Sequence, residues 1–167
     1  MGFFDGPYEE SHFPTQIWTD GACSGNPGKG GAAAVIRYPD NAVKEILFHE
    51  PNSTNQRMEI QAVNIAFEEV SQKELPTKYI AVYSDSAYVC NCINQKWYER
   101  WMSNGWRNSK KEPVANRELW ETLFNYLSIF KEKGLTVKFE KVKGHSGNTW
   151  NEKVDRLAVR ASQGEIK

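Results

Sequence analysis

Cysteine is scarce in the sequence, and the few that occur are poorly placed for a disulfide framework. There are three among 167 residues, and Cys90 and Cys92 are separated by a single residue. An odd count with this spacing is not typical of a secreted disulfide-rich fold and does not match a structural zinc site. The cysteine pattern therefore favours a reducing compartment, and we expect a cytoplasmic location.

Long apolar runs and an excess of charge of one sign are also missing. No hydrophobic stretch approaches the roughly 18 residues that a membrane-spanning helix needs, so we expect no membrane partner. The first residues lack the basic start of a signal peptide. The 21 basic residues balance the 21 acidic residues. Because no overall field attracts a polyanion, a nucleic-acid partner would have to be held by local charge.

The composition that is present fits one globular domain. Hydrophobic residues make up 40% of the chain and charged residues 25%, which lies within the globular range. A length of 167 residues suits a single domain. We expect residues 1–14 to be an N-terminal tail and residues 15–167 to be that domain.

Hydrophobic periodicity predicts an α/β fold. Ala62, Val63 and Ala66 recur at helical spacing, and Thr54 or Asn55 can cap that helix. The predicted elements are strands 16–19, 32–38 and 43–49, helix 52–70, strand 79–84, helix 86–96, an irregular basic segment 97–113, helix 114–132, strand 136–142 and helix 151–161. A hairpin followed by strand–helix alternation favours a mixed sheet that is parallel in part.

The glycine-rich stretch 20–31, DGACSGNPGKGG, first suggests a phosphate-binding loop. It lacks the Gly-Lys-Ser/Thr spacing of a P-loop, and no helix is predicted after it. We therefore expect the glycines to form a flexible hairpin connection. Asp20, at the end of the first predicted strand, is the residue of chemical interest.

Two acidic residues follow predicted strands. Asp20 ends the first strand, and Asp85 follows the strand 79–84. The carboxyl ends of neighbouring parallel strands open at one edge of a sheet, where α/β proteins bind ligands. A single aspartate at such a position is as readily explained by capping of a turn or of the next helix. Two together favour a ligand-binding site.

Two further acidic residues fall on helix faces that are predicted to be buried. Glu59 lies on the core-facing stripe of its helix, and Asp155 borders the apolar stripe of the last helix. The helix dipole can also explain an acid in the first turns. Four converging carboxylates would repel one another and take up protons unless cations lay between them. Oxygen ligands of this kind suit Mg²⁺ or Mn²⁺.

The sequence resembles type 1 ribonuclease H from residue 17 to residue 161. The matching stretches are, in order, TDGACSGNPGKGG, NQRMEIQAV, YSDSAYV, GWRNSKKEPVANRELW and VKGHSGNTWNEKVDRLA. The resemblance implies a five-stranded mixed sheet with helices on both faces, antiparallel in its first three strands and parallel in the remainder. It implies a monomeric endoribonuclease that cleaves the RNA strand of RNA–DNA hybrids, such as RNA primers and R-loops. Two Mg²⁺ ions, or Mn²⁺ in their place, would act as cofactors, and the products would carry 3′-hydroxyl and 5′-phosphate ends.

The resemblance also assigns the chemistry residue by residue. The catalytic and metal-binding carboxylates fall on Asp20, Glu59, Asp85 and Asp155. The family's loop histidine, which helps proton transfer or product departure, falls on His145, and imidazole titrates near neutral pH as that role needs. Asn151 matches a residue beside the site that helps to hold substrate.

Contacts with the two nucleic-acid strands carry over by position. The minor-groove contacts match Asn26, Asn55 and Gln56. The pocket for a phosphate of the DNA strand matches Thr54, Arg57 and Asn116. Because the 2′-hydroxyl in the minor groove distinguishes RNA from DNA, the cleaved strand is expected to be RNA.

Residues 96–111 match the family's basic protrusion, which contacts phosphates without reading bases. Substrate contacts in this segment are expected from Trp101, Trp106, Lys110 and Lys111. The alternative is a solvated basic helix whose tryptophans belong to the core.

Two positions depart from the family pattern. Gln56 stands where a second asparagine is frequent, and Ala87 stands where glutamine is frequent, at the cost of a substrate contact. A hybrid-binding relative with weak or no cleavage is the main alternative, and it would be expected to lack at least one of the four carboxylates. Another nuclease on the same fold, such as a reverse-transcriptase domain or a resolvase, is a further alternative.

Overall fold

The computed structural model describes residues 13–143 and 149–166. Within them, one sheet has the strand order β3-β2-β1-β4-β5. Its strands are β1 (Thr15–Gly25), β2 (Gly28–Arg37), β3 (Val43–Ser53), β4 (Tyr79–Ser84) and β5 (Thr136–Lys141). β1, β2 and β3 pair antiparallel, whereas β4 is parallel to both β1 and β5. This confirms the mixed sheet predicted from the sequence.

Helices cover both faces of the sheet, as predicted. They are α1 (Asn55–Ser71), α2 (Ala87–Asn94), α3 (Trp97–Asn104), α4 (Arg117–Glu132) and α5 (Thr149–Ser162). The Thr54 side chain caps α1 by accepting a hydrogen bond from the backbone N–H of Arg57. No helix within the described ranges is long and apolar enough to cross a membrane.

Alternating side chains of the strands form two separate cores. Ile17 and Ile36 belong to the larger core with α1 to α4, whereas Trp18 and Val35 pack with α5 on the opposite face. Because successive residues of a strand point to opposite faces, almost every residue in the centre of β1 and β2 is buried. This double packing holds α1 and α5 against the same two strands.

The segment 97–113, predicted to be irregular, contains helix α3. The prediction was wrong because α3 has only eight residues, too few for a periodic pattern to stand out. Left-handed residues bound it, Lys96 with φ of 56° before it and Gly105 with φ of 77° after it. Trp101 anchors it, with 7% of its surface exposed.

The glycine-rich segment is extended strand on both sides of a tight turn, which corrects the prediction of a flexible connection. A Cβ on Gly21 would lie 2.5 Å from the backbone nitrogen of Glu59 in α1. A Cβ on Gly31 would lie 2.1 Å from the backbone nitrogen of Ser162 in α5. These two glycines therefore let a helix approach the sheet closely on each face.

We expect Gly31→Ala to lower the free energy of unfolding by about 3 kcal/mol or more, because backbone atoms of α5 cannot rotate away from the added methyl group. Urea unfolding measures the change. The control is Gly105→Ala, where nothing lies within 4 Å of the added atom and the left-handed backbone alone costs about 1 kcal/mol. An equal or smaller loss for Gly31→Ala would contradict the close-approach role.

Candidate active site

Two aspartates lie side by side at neighbouring strands, although Asp20 lies within β1, which continues to Gly25, and does not end the strand as predicted. Thr19 and Ser84 are partners in the parallel register, so Asp20 and Asp85, one residue further along each strand, are neighbours. Ser86 ends the turn after β4, where its backbone N–H donates to the Ser84 hydroxyl at 3.0 Å. The Ser86 hydroxyl also caps α2. The turn thus has a fixed conformation directly beside Asp85.

A third aspartate reaches the same place from helix α5. Asp155 lies in α5 beside Val154 and Ala158, which are fully buried against β1 and β2. Carboxylate oxygens of Asp20, Asp85 and Asp155 all lie within 4.8 Å of one another. Strand β1, the turn after β4 and helix α5 therefore supply a compact group of three carboxylates.

The charge of this group is poorly compensated. Burial raises the pKa of Asp20 to about 9, with further contributions from the neighbouring Asp85 and Asp155 carboxylates. A hydrogen bond from the Gly21 backbone acts in the opposite direction. Asp155 Oδ1 is buried and accepts no hydrogen bond. An oxygen-only donor set with an unpartnered buried oxygen fits a hard divalent cation such as Mg²⁺.

Glu59 lies at the edge of this group and is held by two donors. Asn55 Nδ2 donates to Glu59 Oε1 at 2.8 Å, and the Ser86 hydroxyl donates to Glu59 Oε2 at 2.5 Å. Burial, opposed by the Ser86 hydrogen bond, raises the pKa of Glu59, and Asp85 adds to the effect. Glu59 therefore lies near Asp85, but the compact group comprises three of the four carboxylates that were predicted to converge.

Of the residues predicted to contact the minor groove, Asn55 binds Glu59 and also Asn26. The backbone N–H of Asn55 donates to Asn26 Oδ1 at 3.2 Å, which joins the β1–β2 turn to the start of α1. Asn55 and Gln56 are both exposed. Asn26 is therefore linked to Glu59 through Asn55, and Gln56 follows Asn55 in α1.

Thr54, Arg57 and Asn116, which were predicted to hold a phosphate, lie together, with two acids that the sequence did not indicate. Arg57 Nη1 donates to Asn116 Oδ1 at 3.4 Å, and Thr54 lies one turn before it. Arg57 also forms ion pairs with Glu50 at 3.0 Å and with Glu118 at 2.5 Å. Burial acts to raise the pKa of Glu50, but the hydrogen bonds from Arg57 and Ser53 lower it overall. The hydrogen bond from Arg57 lowers the pKa of Glu118.

The basic protrusion divides into a buried and an exposed part. Trp101 and Trp106 are only 7% and 8% exposed, and they pack with Trp120 and Phe124. Burial leaves these two tryptophans little surface for a substrate, which favours the alternative that they belong to the core. Lys110 and Lys111, by contrast, are exposed.

Asn151 and His145 are the two remaining residues of the predicted site. Asn151 is buried in the first turn of α5, one helical turn before Asp155. His145 lies outside the described residues.

Sequence reasoning missed Ser86, Glu50 and Glu118. A serine before a predicted helix signals a cap, and its position next to Asp85 could have indicated a contact with the site. Glu118 is 61 residues from Arg57 along the chain. No local pattern relates such distant residues, so only the fold reveals that pair.

Comparison with known proteins finds a family match over most of the chain. The family model for RNase H matches residues 13–163. The ribonuclease H of Syntrophomonas wolfei subsp. wolfei is 50% identical over 145 residues, covering 87% of this chain and 93% of its own. That of Caldanaerobacter subterraneus subsp. tengcongensis is 44% identical over 152 residues, covering 91% of this chain and 93% of its own.

Solved structures show the same architecture. A type 1 RNase H with the type 2 active-site motif superposes with a TM-score of 0.75 at 28% identity, covering 93% of this chain and 76% of that chain. An RNase H1 in complex with an RNA/DNA hybrid has a TM-score of 0.63 at 21% identity, covering 89% of this chain and 96% of that chain. The second likeness concerns the fold alone. From the family match and the close relatives, the chain belongs to the ribonuclease H family, metal-dependent hydrolases that act on RNA–DNA hybrids.

Proposed function

We propose that this chain hydrolyses the RNA strand of RNA–DNA hybrids at the carboxylate group between β1, β4 and α5. The observation that carries the proposal is the convergence of Asp20, Asp85 and Asp155, whose carboxylate oxygens lie within 4.8 Å of one another. The reaction is inferred from family membership, and its location is inferred from this group of carboxylates.

Two Mg²⁺ ions are the proposed cofactors, with Mn²⁺ as a substitute. The proposed ligands are Asp20, Glu59, Asp85 and Asp155. Such a pair of cations, when bound, stabilises the attacking and leaving oxygens of a phosphodiester hydrolysis, which here leaves 3′-hydroxyl and 5′-phosphate ends. The role of Asp20 is to give up its proton and become a charged ligand. Asn55 and Ser86 orient Glu59 through the two hydrogen bonds that it accepts.

The proposed substrate contacts surround the carboxylates. Asn26, Asn55 and Gln56 would meet the minor groove, where the 2′-hydroxyl selects RNA. The DNA-strand phosphate pocket is assigned to Thr54, Arg57 and Asn116. Exposed Lys110 and Lys111 would contact phosphate and position the duplex.

Two further residues complete the proposed site. Buried Asn151 would support substrate binding one turn before Asp155. His145 is assigned to proton transfer or product departure from its sequence position.

The protein is proposed to be a monomer that removes RNA primers and R-loops in the cytoplasm. The three cysteines are free thiols, which suits a reducing compartment.

The proposal predicts strict substrate selectivity. With Mg²⁺, the chain is expected to cut the labelled RNA strand of a hybrid and to leave duplex DNA and duplex RNA intact. EDTA is expected to abolish the cutting. Gel analysis of all three substrates tests this, and cleavage of duplex DNA or activity in EDTA would contradict the mechanism. Hybrid binding with no cleavage would instead favour the binding-only alternative.

Replacement of one aspartate is expected to separate activity from folding. Asp85→Asn keeps the shape but removes a ligand charge, so hybrid cleavage is expected to fall by about 100-fold or more. In metal-free buffer the melting temperature is expected to rise, because repulsion among the carboxylates is relieved. Circular dichroism reports the fold, and Asp40→Asn, in the exposed β2–β3 turn, serves as the control. Near-normal activity of Asp85→Asn would refute the assignment.

Stability in the absence of metal is expected to depend on pH through Asp20. Its pKa is about 9 in the folded chain and 3.8 ordinarily. Between these values the folded chain holds a proton that the unfolded chain has lost, so the free energy of unfolding falls as pH rises. We expect the melting temperature in EDTA to decline from about pH 5 to about pH 8, and to decline less in Asp20→Asn. Identical slopes for the two proteins would contradict the raised pKa.

A further inference from the structure

Without substrate, the guanidinium of Arg57 in the proposed phosphate pocket already binds two carboxylates. Arg57 Nε donates to Glu50 Oε1 at 3.0 Å, and Arg57 Nη1 donates to Glu118 Oε1 at 2.5 Å. One guanidinium thus faces two carboxylates. The immediate charge of the pocket is therefore negative, which opposes the arrival of a phosphate.

The two glutamates differ in how firmly they are held. The Glu50 side chain is 27% exposed and lies on β3, in the sheet. The Glu118 side chain is 65% exposed and lies in the first turn of α4. An exposed ion pair is weak and easily exchanged, so Glu118 can leave Arg57 at much lower cost than Glu50.

Glu118 occupies the position that suits an anionic ligand. Asn116 shares Nη1 of Arg57 and stands at the start of α4 with no side-chain cap hydrogen bond. The first backbone N–H groups of a helix and its dipole attract anions, phosphate included. Arg57 and the α4 N-terminus together therefore favour an anion here, and the Glu118 carboxylate is the anion present.

We infer that Glu118 is an internal competitor for the phosphate of the DNA strand. Its carboxylate holds Arg57 in the free protein and is displaced when phosphate binds, whereas Glu50 stays and orients the guanidinium. Arginine binds phosphate through parallel charge-assisted hydrogen bonds, which can replace a single exposed ion pair. The inference rests on the proposed function and adds to it a residue that limits affinity for the hybrid.

The test compares Glu118→Gln with the wild-type chain. Glutamine keeps the size of the side chain and removes its charge, so the KM for the hybrid is expected to fall about two- to fivefold with kcat unchanged. Binding of the hybrid, measured by fluorescence anisotropy in EDTA, is expected to tighten by the same factor. The dependence of log Kd on log salt is expected to steepen by about 0.9, because the pocket gains one net positive charge.

Two further variants test whether the effect on hybrid binding is specific to Glu118. Glu132→Gln removes the same charge from the opposite end of α4, about 20 Å away, and is expected to leave KM and Kd unchanged. Glu50→Gln is expected to raise KM, because Arg57 loses the partner that orients it.

Each outcome decides the question. An unchanged Kd in Glu118→Gln, or a weaker one, overturns the inference, and the weaker value would show that Glu118 positions Arg57 for the phosphate. Equal tightening in Glu132→Gln overturns it as well, because general charge would then explain the gain. If the wild-type chain neither binds nor cleaves the hybrid, the proposed function itself fails.

Discussion

Repulsion among partly buried carboxylates is the constraint on which the rest of this site depends. Asp20 lies within strand β1, Asp85 in the turn after β4 and Asp155 in the packed helix α5, so none of them can move away without disturbing the fold. The consequence is visible in the pKa of Asp20, which burial and its two neighbours raise to about 9. A divalent cation would remove this repulsion, so the same geometry that opposes stability creates affinity for metal.

The frame that holds the carboxylates together is the double packing of β1 and β2. Gly21 admits α1, which carries Glu59, and Gly31 admits α5, which carries Asp155. The parallel register of β1 and β4 then sets Asp20 beside Asp85. Asn55 forms hydrogen bonds with both Glu59 and Asn26. The proposed metal site and the proposed minor-groove contacts are therefore joined by hydrogen bonds.

The sequence allowed much of this to be predicted because the signals are periodic or positional. Strand alternation and helical spacing indicated the mixed sheet. Asp20 and Asp85 stood out because each follows a predicted strand, although β1 in fact continues past Asp20 to Gly25. Helix α3 escaped prediction because two turns are too short for periodicity. The strand glycines were misjudged because close approach of a helix depends on packing, which no local pattern encodes. For the same reason, Glu118 could not be related to Arg57 before the fold was known.

The central claim is that a divalent cation replaces a proton among these carboxylates, and proton release on metal binding tests it most directly. Titration calorimetry of Mg²⁺ at neutral pH, in buffers of different ionisation enthalpy, counts the protons released. Because Asp20 is protonated at neutral pH in the metal-free protein, the account predicts release of about one proton per chain. Mg²⁺ binding without proton release, or no detectable Mg²⁺ binding, would contradict it.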